Sequence, residues 1–150
     1  MKMGAYVLYL DVQQPLTLRV GALKRIFLPA GYYAYVGSAC RGIAGRIARH
    51  RRLAEQKKGK RHWHIDYLLT NPGIRLAGDT ALAGRDECDV SRQIAASRGV
   101  SAPVPDFGSS DCRSGCKAHL YRMDARRIVG PVSHLLINLH FKQSTTQRPD

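Results

Sequence analysis

Between Tyr32 and Leu53 the chain changes from one hydrophobic period to another. Tyr32–Val36 holds four aromatic or β-branched residues around Ala34, the composition of a strand entering a core, and Gly37 ends it. From Ile43 to Leu53 the pattern is helical. At about 100° per residue, Leu53, Arg46, His50, Ile43, Ala54 and Ile47 fall within roughly 120° of arc, whereas Arg49 and Arg52 fall on the other side, toward water. Arg46 and His50, one turn apart, therefore share the isoleucine side of the helix. A charged group placed beside an apolar stripe is costly unless it meets a partner or a ligand.

The remaining elements follow the same logic. Ala5–Leu10 and Thr17–Val20 read as strands with a turn at Gln13–Pro15, and Arg25–Leu28 continues strand character up to the Pro29-Ala30-Gly31 break. His62–Leu69 is a short helix ended by Asn71-Pro72-Gly73. Ile74–Leu82 is ambiguous and leans to strand. Asp86–Arg98 is a second amphipathic helix, with Asp86 as its cap and Gly99 at its close. Ser101–Ser110 is a Pro/Gly/Ser loop, His119–Met123 a strand, and Ile128–Phe141 either strand or helix. The fold class is α/β of mixed α+β type: a small, mainly antiparallel central sheet flanked by helices. Residues 1–141 form one domain and 142–150 a polar, flexible tail.

The charge is concentrated. The 150 residues include 24 Lys and Arg against 11 Asp and Glu, a formal charge of +13. Residues 41–61 hold nine of the bases (Arg41, Arg46, Arg49, Arg51, Arg52, Lys57, Lys58, Lys60, Arg61) against the single acid Glu55. Residues 62–111 reverse the balance, with seven acids and four bases. So dense a single-sign cluster points to a phosphate polymer as partner, with Arg41, Arg49, Arg51, Arg52, Lys57, Lys58, Lys60 and Arg61 tracking its backbone. No apolar run approaches the roughly 20 residues of a membrane span. The opening MKMGAYVLYLDV, broken by Asp11, is a poor signal peptide, which gives a cytoplasmic expectation. Four cysteines then read as thiols or metal ligands. Cys112-x3-Cys116-x2-His119 offers three ligands for a structural zinc ion, with His62, His64 or Cys88 as a fourth; buried, unliganded thiols are the plainer reading.

Two tyrosine tripeptides stand out, Gly4-Ala5-Tyr6 opening the first strand and Tyr35-Val36-Gly37 closing a later one, followed by the helix bearing Arg46 and His50 and by Glu87 on the next long helix. In this order the sequence resembles the GIY-YIG nuclease superfamily over about residues 4–95. The strings GYYAYVGSA, HWHIDYLL and FGSSDC look similar to an uncharacterised branch of that superfamily, sometimes fused to a DNA-repair glycosylase of endonuclease III type. The resemblance implies an endonuclease in which Tyr6 and Tyr35 line the cleft and one of them orients or deprotonates the attacking water. Arg46 would hold the scissile phosphate, His50 would assist proton transfer or hold the phosphate, and Glu87 would ligate Mg²⁺ or Mn²⁺. Departures from the pattern are Ser38, where repair-type relatives often carry lysine, and the 28 residues between Tyr6 and Tyr35, which imply an extra hairpin or loop.

Residue chemistry runs the same way. Phosphodiester hydrolysis needs in-line attack by water and neutralisation of charge on the phosphoryl oxygens. A guanidinium suits the phosphate, and a hard cation wants oxygen ligands. A tyrosine is a poor base at its ordinary pKa of about 10, so it would need nearby positive charge. Expected is a metal-dependent endonuclease acting on nucleic acid, DNA foremost and in repair. A non-catalytic DNA- or RNA-binding module with the same fold is the alternative, and a zinc-stabilised protein-interaction domain the third reading.

Overall fold

A computed structural model describes residues 2–110 and 112–124. The expected element at Ile128–Phe141 and the tail at 142–150 lie outside the described residues. In chain order the elements are β1 (Gly4–Val12), β2 (Leu16–Arg19), β3 (Arg25–Leu28), β4 (Gly31–Ala39), α1 (Ile43–Gln56), α2 (His64–Leu69), β5 (Ile74–Ala83), α3 (Glu87–Ala95), β6 (Val100–Ser101) and β7 (Leu120–Met123). The fold is mixed α+β. Five strands form one sheet in the order β5-β1-β4-β7-β6, antiparallel at every junction. None of the described helices is long and apolar enough to cross a membrane.

Strand β1 organises the molecule because it is buried on both faces. Its even positions, Tyr6, Leu8, Leu10 and Val12, join Ile43, Ile47 and Leu53 of α1 and Ile65, Leu68 and Leu69 of α2 in the larger core. Its odd positions, Ala5, Val7 and Tyr9, meet Val90 and Ile94 of α3 with Tyr121 and Met123 of β7. The period of two in the strand thus serves two separate cores. Strand β4 does the same, sending Tyr33 and Tyr35 to the α1 side and Ala34 and Val36 to the α3 side.

The register places Tyr6 directly opposite Gly37. The phenol ring lies across that glycine: a Cβ at position 37 would sit 2.4 Å from Tyr6 Cζ. Such an overlap cannot be accommodated without moving the ring, so the glycine of the second tripeptide makes room for the tyrosine of the first.

The long Tyr6-to-Tyr35 interval contains a hairpin, as its length implies. Strands β2 and β3 pair as a separate two-stranded sheet around the 3₁₀ turn Gly21–Leu23. Helix α1 runs three residues beyond the expected Leu53, and Lys57 closes it in the left-handed conformation at φ 55°. Asp86 caps α3 by accepting a hydrogen bond from the Asp89 N–H at 2.9 Å, a contribution of about 1 kcal/mol. Helix α3 stops at Ala95, short of the expected Arg98. The two-residue β6 escaped the sequence reading because it is defined by backbone pairing with β7, not by a side-chain pattern.

Candidate functional site

Helix α1 delivers its stripe as the periodicity requires. Ile43, Ile47, His50 and Leu53 are buried, and Arg46 is half-buried beside them. His50 Nε2 lies 2.7 Å from the Tyr6 hydroxyl. Burial lowers the pKa of His50 from 6.5 to about 4, outweighing the opposing pull of Asp66, so the imidazole is neutral at pH 7. Its Nδ1 lies 4.0 Å from Asp66 Oδ1, beyond hydrogen-bond reach, and has no hydrogen-bond partner; with the ring proton on Nδ1, Nε2 accepts the Tyr6 O–H. A neutral ring brings no charge to a phosphate, so the phosphate-holding option given for His50 fits this site poorly.

Asp66 is the hub of that wall. Fully buried, it accepts hydrogen bonds from both terminal nitrogens of Arg49, at 2.9 Å each, and from the backbone N–H groups of His62 and Trp63 at 2.7 and 3.0 Å. Burial opposes its ionisation, but these donors prevail and hold its pKa below the ordinary value. Trp63 is the second organiser. The guanidinium carbons of Arg46 and Arg49 lie 4.2 and 4.7 Å from its ring centroid. Arg46 meets no carboxylate within ion-pair distance among the described residues.

The segment FGSS closes the tyrosine side. Phe107 is fully buried, with its ring edge-on to Tyr35 at 6.2 Å, and the Gly108 N–H donates to His64 Nδ1 at 3.0 Å. Tyr35 of GYYAYVGSA, His64 of HWHIDYLL and Phe107-Gly108 of FGSS therefore meet in space. Burial raises the pKa of both Tyr6 and Tyr35; the Arg46 charge lowers both, while Glu87 and Asp66 raise them. Both hydroxyls are therefore protonated at neutral pH.

The basic segment divides. Arg49 is held by Asp66 with its side chain only 25% exposed, contrary to its expected solvent-facing position. Arg51 forms a paired contact to Asp79 at 2.8 Å on both nitrogens, and Lys57 Nζ donates to the carbonyls of Leu69 and Ile74 at 3.1 and 2.6 Å. These three cations serve the fold. Arg61 lies over the Tyr67 ring at 5.4 Å. Arg41, Arg52, Lys58 and Lys60 are exposed and meet no acidic partner among the described residues.

A second convergence lies at the start of α3. Cys88, Cys112, Cys116 and His119 each present one donor atom, and all four atoms lie within 4.8 Å of one another, a candidate metal-binding cluster. Of the alternatives for a fourth ligand, Cys88 is the residue that joins, whereas His64 accepts from Gly108 and His62 packs against Trp63. Cys88 and Cys112 are 3.4 Å apart at sulfur. Backbone N–H groups of Cys116 and Ser114, against the effect of burial, lower the pKa of Cys112. His119 is buried and its Nδ1 lies 2.8 Å from Glu87 Oε1, yet neither ring nitrogen has a well-directed hydrogen bond.

Sequence reasoning missed Asp66 and Trp63 as organisers. The available signal was an acid flanked by Ile65 and Leu68 beside the sole tryptophan. No curated protein and no solved structure matches the chain. One family model does, over residues 5–140, and its span takes in Tyr6, the tripeptide Tyr35-Val36-Gly37, Asp66 and all four donors of the cluster. The chain thus belongs to the family described as domain of unknown function DUF123.

Proposed function

We propose that the protein is a divalent-metal-dependent endonuclease of GIY-YIG type, cytoplasmic, acting on nucleic acid and foremost on DNA, in repair. The observation that carries this reading is Arg46: a half-buried guanidinium 4.2 Å from the Trp63 ring centroid, without an acidic partner among the described residues. A cation held half-buried without a counter-ion is costly unless a ligand supplies one, and a phosphate does so in the fork geometry a guanidinium prefers.

The chain's own groups divide the work as follows. Arg46 binds the scissile phosphate and offsets the extra charge of the transition state. Tyr6 donates its proton to His50 Nε2, which leaves its oxygen lone pairs to accept from and orient the attacking water. Tyr35 borders the same space. Glu87 supplies a carboxylate oxygen for Mg²⁺ or Mn²⁺, whose chemistry when bound is to neutralise phosphoryl charge and acidify water. Arg41, Arg52, Lys58 and Lys60 engage flanking phosphates. The soft donors at Cys88, Cys112, Cys116 and His119 suit zinc in a structural capacity and not magnesium.

Incubation with supercoiled plasmid and with branched DNA should give Mg²⁺-dependent nicking. Arg46→Ala and Glu87→Gln should abolish it while circular dichroism stays unchanged. Binding should weaken steeply with salt as counterions are released. The burial and protonation of both tyrosines favour one other reading, a nucleic-acid-binding module without catalysis. Salt-sensitive binding with no cleavage of any tested substrate under either cation would establish that reading instead.

A further inference from the structure

Four donors drawn from distant parts of the chain meet where α3 begins. Cys88 comes from the first turn of that helix, Cys112 and Cys116 from the preceding loop of β7, and His119 from the residue next to β7. A tetrahedral zinc ion with bonds of about 2.3 Å to sulfur and 2.0–2.1 Å to nitrogen needs donors about 3.5–3.8 Å apart. The observed cluster, within 4.8 Å throughout and 3.4 Å between Cys88 and Cys112, is of that size, and its sulfurs are far outside the 2.05 Å or so of a disulfide. Three thiols with one imidazole are a soft set that selects zinc over magnesium or calcium.

The histidine supplies an independent sign. His119 is 2% exposed, and both of its ring nitrogens lack a directed hydrogen bond, a costly state for a buried imidazole. Glu87 Oε1 stands 2.8 Å from Nδ1, which leaves Nε2 for a metal. Carboxylate, histidine and metal in series form a recurrent arrangement in which the carboxylate fixes the tautomer and the ring fixes the carboxylate.

We infer that Cys88, Cys112, Cys116 and His119 bind one zinc ion, and that His119 transmits its presence to the Glu87 carboxylate, whose Oε1 stands 2.8 Å from its Nδ1. Zinc at this point ties the loop that carries Phe107 to the start of α3. The zinc site stands without the nuclease proposal; its effect on cleavage rests on that reading.

The test uses the full chain without a histidine tag, purified under a thiol reductant. Elemental analysis should find one zinc per chain. Cys88→Ser and Cys112→Ser should each lose it, and Cys40→Ser, at an exposed thiol outside the cluster, should retain it. Glu87→Gln should keep the ion with affinity weakened about 10–100-fold in chelator competition. If the serine variants fail to fold, wild-type protein exchanged with Co²⁺ gives the same answer through the visible bands of a thiolate-bound tetrahedral ion. Reduced wild-type protein that holds no zinc and takes up none on titration with ZnCl₂ overturns the site, as does a Cys88–Cys112 disulfide in freshly purified protein. Unchanged zinc affinity in Glu87→Gln overturns the link to the carboxylate. Zinc-loaded protein that cuts no DNA defeats the nuclease reading and leaves the zinc site intact; cleavage that survives complete zinc removal defeats the link alone.

Discussion

Among the described residues, the two buried histidines sit in different surroundings. His50 is enclosed by Tyr6, Trp63 and the Arg49–Asp66 pair; its Nε2 is bonded, and burial holds it neutral. His119 is equally buried, but it faces three sulfurs and a carboxylate, and its nitrogens lack directed hydrogen bonds. The first region ties most of its polar atoms to one another, with His50 Nδ1 left 4.0 Å from Asp66 Oδ1 and without a hydrogen bond. The second is a set of donors converging on a point that no side chain fills. Burial alone does not distinguish a structural polar residue from a ligand. What distinguishes them is the company each keeps: one ring faces a phenol and an ion pair, the other three sulfurs and a carboxylate.

Breaking the first region should have the largest effect. Asp66→Ala leaves Arg49 and His50 without their anion and unties the start of α2, and chemical denaturation should show a loss of about 3–5 kcal/mol. An effect below 1 kcal/mol would mean that these groups do not hold one another as described.

Acid should loosen the same region by way of His50. Its pKa is about 4 in the fold and 6.5 in the unfolded chain. Between those values the unfolded chain takes up a proton that the folded one refuses. The stability from this group is therefore full above pH 6.5 and falls as the pH drops toward 4, by on the order of 3 kcal/mol. His50→Gln should flatten the denaturation profile across this window. Asp66 adds a loss of the same sign below its ordinary 3.8, since its folded pKa is lowered.

Tyr6→Phe removes the hydroxyl that satisfies His50 Nε2 and should cost about 1–2 kcal/mol in thermal unfolding. It should also raise the pKa of His50, read from the pH dependence of its ring proton shifts, because the neutral form loses its hydrogen bond. Asp86→Ala, next to the second region, removes only the α3 cap and should cost about 1 kcal/mol.

The smallest stability effects belong to the exposed bases. Arg52→Ala and Lys58→Ala should each change stability by less than about 0.5 kcal/mol. Each should reduce the salt slope of DNA binding by about one. A slope untouched by either would remove the basic segment from the proposed interface.

Much of this arrangement was legible in the residues. The period-two runs gave β1 and β4, and the 100° wheel placed Arg46 and His50 on the buried side of α1. Asp86 read as a cap because its side chain acts locally. Legibility ended where partners come from afar. Arg49 lies off the apolar stripe, and only the approach of α2, bringing Asp66, draws it inward. Arg51 and Lys57 read as free cations because Asp79 and the carbonyls of Leu69 and Ile74 reach them through tertiary packing. The choice of Cys88 as fourth donor depended on where the start of α3 meets the loop before β7, which no local spacing encodes.

The placement of the β2–β3 hairpin outside the main sheet has a practical consequence. Strands β1 and β4 pair along nine positions without drawing on the hairpin for a single rung. The exposed pair Gly21–Ala22 is thus a splice point: a fluorescent or affinity module inserted there would leave the β1–β4 rungs untouched as long as Val20 and Leu28 keep their places in the core.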